Sequence, residues 1–137
     1  MKVERKMTSL TNEERKMLED KNFAFIATVN KNGSPQVTPT WVDTDGSNVL
    51  INIATTRHKL RNVTRDPRVS IAIIDQANPY KAIMINGKVV SIEKGKGAED
   101  HIDKLAKKYL GQDKYPYRQP GEDRVLLKIE PSNIVMR

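Results

Sequence analysis

The chain has 137 residues, a formal net charge of +7 and no cysteine. One domain accommodates this length, and the lack of cysteine excludes disulfides, thiolate metal sites and cysteine nucleophiles. The surplus of basic residues suits an anionic small molecule, a nucleic acid or an acidic membrane surface, and charge alone does not choose among these partners.

Several partner classes are not expected. No apolar run approaches the roughly 20 residues of a membrane-spanning helix, and the first six residues lack the apolar stretch of a secretory signal, so we expect a cytoplasmic protein. With only two histidines, a metal centre is not expected. The chain has two Phe and one Trp, none in a basic strand that could stack bases, which argues against a nucleic-acid partner.

The chain is predicted to begin with an N-terminal arm and helix over residues 1–21. Thr11 and Glu14 have the spacing of a capping box, which predicts the start of this helix. Alternating residues from Phe23 to Val29 then predict a first strand that is buried mainly on one side.

A hairpin is predicted next. Asn32-Gly33 favours a type I′ turn, so residues 36–42 would pair antiparallel with the first strand. Pro35 and Pro39 lack amide protons, which indicates an edge strand with part of its backbone unpaired. Asp45-Gly46 marks another turn, and a third strand is predicted over residues 48–53.

The middle of the chain is predicted to contain a short helix and a central strand. Leu60 and Val63 would seat the helix, and Asp66-Pro67 would end it, because proline disfavours helical geometry in the preceding residue. The continuous apolar run over residues 69–74 predicts the central strand. Residues 82–92 are extended, and a bulge at Asn86-Gly87 suits a small barrel better than a second hairpin.

The last part of the chain is predicted to add a peripheral helix over residues 98–110 that ends at Gly111 in a left-handed cap. His101 lies beside the apolar stripe of this helix and is interpreted as a surface residue. The last clear strand is predicted over residues 124–129, with a short pairing over 134–136. The fold class is therefore mainly β, a six-stranded antiparallel β-barrel with peripheral helices, in a single domain over 1–137.

The segment after the third strand is a candidate anion site. Thr55 or Thr56 would cap the short helix, whose first-turn amides and positive dipole end favour a phosphate or carboxylate. Arg57 and Lys59 stand at this junction, and further cations follow. The alternative is a solvated amphipathic helix with basic outward faces.

The second strand is a candidate ligand groove. Small polar side chains alternate with apolar ones over residues 36–41, so backbone groups could meet the polar edge of a flat heterocycle, with Trp41 as a wall. The alternative is a plain edge strand with Trp41 in the core. No nucleophile elbow, paired carboxylates, Rossmann fingerprint or Walker pattern is present.

Six motifs follow one another in a characteristic order. They are Ala27-Thr28-Val29, Asn32-Gly33-Ser34-Pro35-Gln36-Val37-Thr38-Pro39 with Trp41, Asn52 with Arg57, Lys59 and Arg61-Asn62, Arg65-Asp66-Pro67-Arg68-Val69-Ser70, Asn78-Pro79-Tyr80 and Gly87-Lys88-Val89. This order resembles the flavin and deazaflavin split-barrel oxidoreductases, the superfamily of pyridoxamine 5′-phosphate oxidase. The likeness is closest to the branch that uses the deazaflavin coenzyme F-420, although Thr56 stands where that branch often has glycine.

The resemblance implies an FMN-binding split-barrel type of fold and a homodimer with a cofactor at each of two subunit interfaces. It implies that Arg57 and Lys59 bind the cofactor phosphate, with help from Thr55, Thr56 and Asn62. The remaining implied cofactor-binding residues are Gln36, Val37, Thr38, Pro39 and Thr40 along the ring, Asn52 near the ribityl chain, and Asn78, Pro79 and Tyr80 from the partner subunit.

Three functions follow as hypotheses. The first is an F-420-dependent oxidoreductase that transfers hydride between the reduced cofactor and an unsaturated or quinone-like acceptor. The second keeps the fold with FMN, as an oxidase or flavin reductase. The third is a protein that binds the cofactor or another anion without turnover, or a basic nucleic-acid binder. Few catalytic side chains are expected, because in such an enzyme the cofactor carries the hydride, and the sequence does not identify a proton donor.

Overall fold

The computed structural model describes residues 3–5 and 9–137 of the chain. Its three helices are α1 (Asn12–Glu19), α2 (His58–Arg65) and α3 (Lys96–Leu110). Its strands are β1 (Val3–Arg5), β2 (Ala24–Val29), β3 (Pro35–Thr40), β4 (Asp43–Thr44), β5 (Val49–Ala54), β6 (Arg68–Ile74), β7 (Ala82–Lys94) and β8 (Arg124–Met136). In the described part of the chain, no helix is both long and apolar enough to cross a membrane.

All strand pairs are antiparallel, and the strands form one curled sheet in the order β3-β2-β6-β7-β8-β5-β4, with β1 added to β8. The expected split-barrel type of fold is confirmed. β3 lies at an end of this order, as its two prolines indicated. β6 lies between β2 and β7, as expected for its continuous apolar run.

The strand count differs from the expected six. Two additional strands are very short, namely β1 with three residues and β4 with two. The predicted pairing over residues 134–136 is confirmed, but it does not belong to a separate strand, because β8 continues through Pro131 to Met136. Pro131 pairs with Gly87 where the register of β7 and β8 shifts, and a ladder irregularity of this kind tolerates the missing proline amide. The predicted irregularity at Asn86-Gly87 is observed and β7 runs through it, but the extra residue there is Ser132 of β8.

The hairpin between β2 and β3 forms as predicted, but its turn is not type I′. Gly33 has a φ of 89°, whereas no described residue other than glycine has a positive φ. The Gly33 amide donates to the Asn30 carbonyl at 2.8 Å, and the Asn30 amide donates to the Ser34 carbonyl at 2.8 Å. Asn32 instead accepts a hydrogen bond from the Ser34 amide through its side chain, a local contact that stabilises turns without positive φ at asparagine.

The main core lies against one face of the sheet. Strand alternation explains it: Ala24 and Ile26 of β2 are buried, while Phe23 and Phe25 remain 43% and 41% exposed. The capping box of α1 is confirmed, and this helix buries Met17 and Leu18 against the sheet. The largest buried side chains of the sheet strands are Ile26, Ile51, Ile71, Ile73, Ile83, Ile85, Leu127, Ile129 and Ile134.

α3 starts two residues earlier than predicted and packs outside this core. Ile102, Leu105 and Tyr109 form a separate cluster with Trp41 and Tyr115. The Tyr109 hydroxyl donates to the Asn22 carbonyl at 2.5 Å and accepts from the Val42 amide at 3.0 Å, which ties the helix to the end of β3. Gly111 ends the helix with a φ of 72°, as its predicted left-handed cap requires.

Candidate functional site

A cavity of about 570 Å³ lies between the edge strand β3, the end of β5, the start of α2, and α3 with its following loop. Arginine and lysine side chains line it, and among the described residues no aspartate or glutamate does. Its lining residues are Phe23, Gln36, Thr38, Pro39, Thr40, Trp41, Asn52, Ile53, Ala54, Arg57, His58, Lys59, Ile102, Tyr115 and Arg124. A cavity with several cations and no acid suits an anionic ligand.

The structure brings together the predicted residues of β3 and of the junction after β5. The predicted residues that line the cavity are Gln36, Thr38, Pro39, Thr40, Asn52, Arg57 and Lys59. Val37 does not line it, because alternation along β3 turns its side chain to the other face, where it is 64% exposed.

Lys59 is the most buried of the predicted cations, with 8% of its surface exposed. Its Nζ donates to Thr38 Oγ1 at 2.9 Å, which joins α2 to β3 across the cavity. Among the described residues no carboxylate forms an ion pair with Lys59. Burial, with added repulsion from Arg57 and Arg124, lowers the pKa of Lys59 to about 8. The ammonium group is therefore held without a counter-ion.

Arg124, the first residue of β8, is a cavity cation that sequence reasoning missed. It is 7% exposed, its Nε donates to Asn52 Oδ1 at 2.9 Å, and its guanidinium carbon lies 5.0 Å from the centre of the Tyr115 ring. Burial lowers the pKa of Arg124. The strand register places it opposite Ala54, at the end of the strand that leads to Arg57. Only the β5–β8 pairing could have revealed this neighbour, because nearly 70 residues separate the two in sequence.

The predicted helix cap is wrong. α2 begins at His58, and Arg57 occupies the N-cap position without a side-chain capping bond. Both threonines interact with the loop before β8 instead: Thr55 Oγ1 accepts from the Asp123 amide at 3.3 Å, and Thr56 Oγ1 donates to Glu122 at 2.8 Å. Their side chains therefore join two loops, and the predicted phosphate role of Thr55 and Thr56 stays a prediction.

Asn62 is fully buried and does not line the cavity. Its amide nitrogen donates to Thr28 Oγ1 and Asn30 Oδ1, both at 2.9 Å, and lies 3.4 Å from Gln36 Oε1. Asn62 thus stabilises the hairpin that presents Gln36 to the cavity. A direct contact of Asn62 with a phosphate stays a prediction.

The loop between β6 and β7 carries the three residues predicted to act from a partner subunit. Asn78, Pro79 and Tyr80 do not line the cavity of their own chain, and Tyr80 is 91% exposed. Their role in the cavity of another copy remains a prediction.

His101 is buried, contrary to the prediction that it lies on the surface. It is 8% exposed, its Nε2 lies 3.0 Å from Asp43 Oδ2, and its Nδ1 lies 3.2 Å from the side-chain nitrogen of Asn52. Burial raises the pKa of Asp43, but hydrogen bonds from His101, the Thr44 amide and Lys104 outweigh it and hold that pKa at about 2. The spacing of Ala98, His101 and Ile102, all buried, was the missed signal that His101 belongs to the inner stripe.

Aromatic rings form one wall of the cavity. Trp41 stacks on Tyr109 with ring centres 4.9 Å apart and 4° between planes, and Tyr115 meets Trp41 edge-on at 5.9 Å. Trp41 lines the cavity and is partly buried against the α3 cluster, so it does not lie in the main core as the alternative interpretation proposed. Over residues 3–5 and 9–137, no group of three His, Cys, Asp or Glu side chains is arranged to hold a metal ion.

Comparisons with known proteins agree with this architecture. The family model described as pyridoxamine 5′-phosphate oxidase matches residues 10–136. A solved F420 reductase is 28% identical, superposes with a TM-score of 0.77, and is matched over 91% of this chain and 98% of its own. None of the curated proteins compared with the chain matches it.

Two more distant structures share the fold. A candidate pyridoxamine 5′-phosphate oxidase from Listeria innocua is 21% identical, with a TM-score of 0.66 and coverage of 88% of this chain and 91% of that one. General Stress Protein 26 from Bacillus anthracis is 17% identical, with a TM-score of 0.64 and coverage of 88% of each chain. Since the family model spans nearly the whole sequence, the chain belongs to the pyridoxamine 5′-phosphate oxidase family.

Proposed function

We propose that this protein is an oxidoreductase that binds the deazaflavin coenzyme F-420 and transfers hydride between the reduced cofactor and an unsaturated or quinone-like organic acceptor. The observation that carries the proposal is the cavity in which Arg57, Lys59 and Arg124 meet without a lining carboxylate. An anionic cofactor would supply the missing negative charge. The likeness to an F420 reductase supports the choice of cofactor.

The phosphate of the cofactor is assigned to the three cations. Arg57 and Arg124 present guanidinium donors, which match phosphate oxygens in pairs, and Lys59 presents a compact ammonium group between β3 and α2. Lys59 has lost much of its hydration and has no carboxylate partner among the described residues, so a phosphate restores an interaction that burial removed. Binding an anion also favours the charged form of Lys59.

The cofactor ring is assigned to the edge of β3. Along β3, Val37 alternates in step with Pro35 and Pro39, which have no amide proton to donate to β2. We therefore assign the Val37 amide to the open edge of the sheet. There it would meet the polar edge of a heterocycle. Trp41 and Tyr115 provide apolar surface that excludes water. When bound, reduced F-420 supplies the hydride, and the residues of this chain orient it and its acceptor.

FMN is the second candidate cofactor, because the same phosphate group would meet the same cations. The description of the matching family model names pyridoxamine 5′-phosphate oxidase and not a deazaflavin enzyme. With FMN, the protein would be an oxidase or a flavin reductase. A protein that binds either cofactor without turnover is the remaining alternative.

Titration of the purified protein with F-420 and with FMN, followed by cofactor fluorescence, tests the proposal. We expect saturable F-420 binding that Lys59→Met weakens and Lys96→Met does not, because Lys96 is an exposed lysine at the start of α3. Tight FMN binding without a response to F-420 would contradict the choice of F-420 and favour an FMN-dependent oxidase or flavin reductase. Binding of neither cofactor would overturn the proposal.

We further propose that the active form is a homodimer in which a second copy completes the cavity. Exposed Phe23 and Phe25, together with the protruding Tyr80, offer apolar surface that a second copy would bury. Light scattering coupled to size-exclusion chromatography is expected to give the mass of two chains. A monomer that still binds the cofactor with full affinity would contradict this proposal.

A further inference from the structure

A chain of buried polar side chains leads from the cavity into the protein beneath α3. Arg124, Asn52, His101 and Asp43 are each between 5% and 8% exposed. Arg124 Nε bonds to Asn52 Oδ1 at 2.9 Å, Asn52 Nδ2 lies 3.2 Å from His101 Nδ1, and His101 Nε2 lies 3.0 Å from Asp43 Oδ2. Lys104 then pairs with Asp43 at 3.1 Å. The proposed cofactor contacts make no use of His101 or Asp43.

The direction of each hydrogen bond in this chain follows from the donors available. A guanidinium only donates, so the Asn52 oxygen must face Arg124 and the Asn52 nitrogen must face inwards. That nitrogen donates to the Ala98 carbonyl at 2.9 Å and to His101 Nδ1. His101 Nδ1 must therefore be unprotonated, and its Nε2 carries the proton that is donated to Asp43.

We infer that His101 is a positioning residue: held by Asp43 as its neutral Nε2-protonated tautomer, it fixes the Asn52 amide, and Asn52 in turn aims Arg124 into the cavity. This inference rests on the proposed function, in which Arg124 binds the cofactor phosphate. It assigns to His101 a role that requires no contact with the cofactor.

A neutral amide orients the arginine without cancelling its charge. A carboxylate at residue 52 would hold Arg124 equally well, but it would form an ion pair and weaken the attraction for an anion. Among the four hydrogen-bonded side chains from Arg124 to Asp43, the only carboxylate is that of Asp43. It lies beyond His101 and forms an ion pair with Lys104. Glu99 accepts a hydrogen bond from the Arg124 backbone amide and forms an ion pair with Arg118. Besides its bond to Asn52 Oδ1, the guanidinium donates from one Nη to the Asn52 backbone carbonyl at 3.3 Å, and its remaining donors are available to a ligand.

The first test determines the tautomer of His101 in the cofactor-free protein. Nitrogen-15 NMR of the imidazole at neutral pH is expected to show a bare Nδ1 and a protonated Nε2 for His101, identified by its loss in His101→Leu. The Arg124 Nε proton, identified by its loss in Arg124→Met, is expected to exchange slowly with water, and faster in His101→Leu. An Nδ1-protonated ring, or equal exchange in both proteins, would overturn the inference.

The second test is a double-mutant cycle measured by titration with F-420 and with FMN. His101→Leu is expected to weaken binding about tenfold in the native background, the size of one hydrogen-bonded contact, and to have no further effect in Arg124→Met. His101→Gln, which can both accept and donate, is expected to recover most of the affinity. If His101→Leu weakens cofactor binding by the same factor with and without Arg124→Met, the role of His101 is merely structural.

The two proposals fail in different ways. If the native protein binds neither cofactor, the proposed function is wrong, while the NMR experiment on the free protein still decides whether His101 positions Arg124. If a cofactor binds but the cycle shows no coupling, the proposed function stands and the role of His101 is overturned. If His101→Leu does not fold, the cycle is run with His101→Phe, which keeps a ring but offers Asn52 no acceptor, and the same coupling to Arg124 is expected.

Discussion

Replacement of Lys59 by methionine is expected to weaken cofactor binding by about 10- to 150-fold, the loss of one charge-assisted contact of about 1.5–3 kcal/mol. The same change is expected to raise the free energy of unfolding of the cofactor-free protein. Lys59 is buried without a carboxylate partner among the described residues, so methionine of similar length removes a desolvated charge and leaves no large cavity. Binding and stability therefore change in opposite directions.

The pH dependence of stability provides a separate check on Lys59. Its pKa is about 8 in the folded protein and 10.5 when unperturbed, so between these values the unfolded chain holds one more proton than the folded one. The free energy of unfolding of the native protein is then expected to rise with pH from about 8 to 10.5 relative to Lys59→Met. The stability advantage of the variant is largest below pH 8 and shrinks across this window.

Fluorescence titration and urea denaturation over this pH range measure both quantities. Lys96→Met is the matched control, because Lys96 is 88% exposed at the start of α3 and should affect neither cofactor binding nor the pH profile. Unchanged cofactor affinity in Lys59→Met would remove Lys59 from the phosphate site. A loss of stability in that variant would show that its contact with Thr38 outweighs the cost of burying its charge.

Replacement of Gly87 by alanine is expected to destabilise the protein by about 1–3 kcal/mol, the usual cost of overpacking. A Cβ atom at Gly87 would lie 2.4 Å from the Glu130 carbonyl oxygen and 3.2 Å from Ile129 Cγ2. The first of these neighbours is backbone in β8, so the two strands must separate where their register shifts. No side-chain rotation can relieve the contact.

Urea denaturation of Gly87→Ala beside Gly97→Ala measures this effect. Gly97 lies near the start of α3, and a Cβ atom there would meet nothing within 4 Å. Alanine at that position is expected to be neutral or to stabilise the helix by up to about 1 kcal/mol, because alanine restricts the unfolded chain. Equal stability of Gly87→Ala and the native protein would show that β7 and β8 are free to move apart at the bulge.

Features set by neighbouring residues were predicted well. The capping box at Thr11 and Glu14, the end of α2 at Asp66-Pro67, the irregularity at Gly87 and the left-handed cap at Gly111 are all observed. Each depends on a backbone preference within a few residues. The type I′ turn is an exception. In the observed hairpin only Gly33 has a positive φ, and Asn32 stabilises the turn by accepting a hydrogen bond from the Ser34 amide through its side chain.

The site was predicted in part. The sequence alone placed Arg57 and Lys59 together after a strand, and the polar alternation of β3 placed Thr38 on one face with Gln36 and Thr40. These side chains line one cavity with Lys59 bonded to Thr38. The resemblance to a known family added the expectation that this cavity holds a flavin-type cofactor.

Only the tertiary structure decided the rest of the site. Arg124 enters the cavity because β8 pairs with β5. His101 is buried because α3 packs against β8, β7 and β5, where it meets Asp43 and Asn52. Thr56 is held by Glu122 from a distant loop. The sequence by itself determined the local elements, the surplus of cations and the pattern that identifies the family. Long-range strand register and helix packing determined which cations share the cavity and what orients them, because contacts between residues far apart in sequence leave no local pattern.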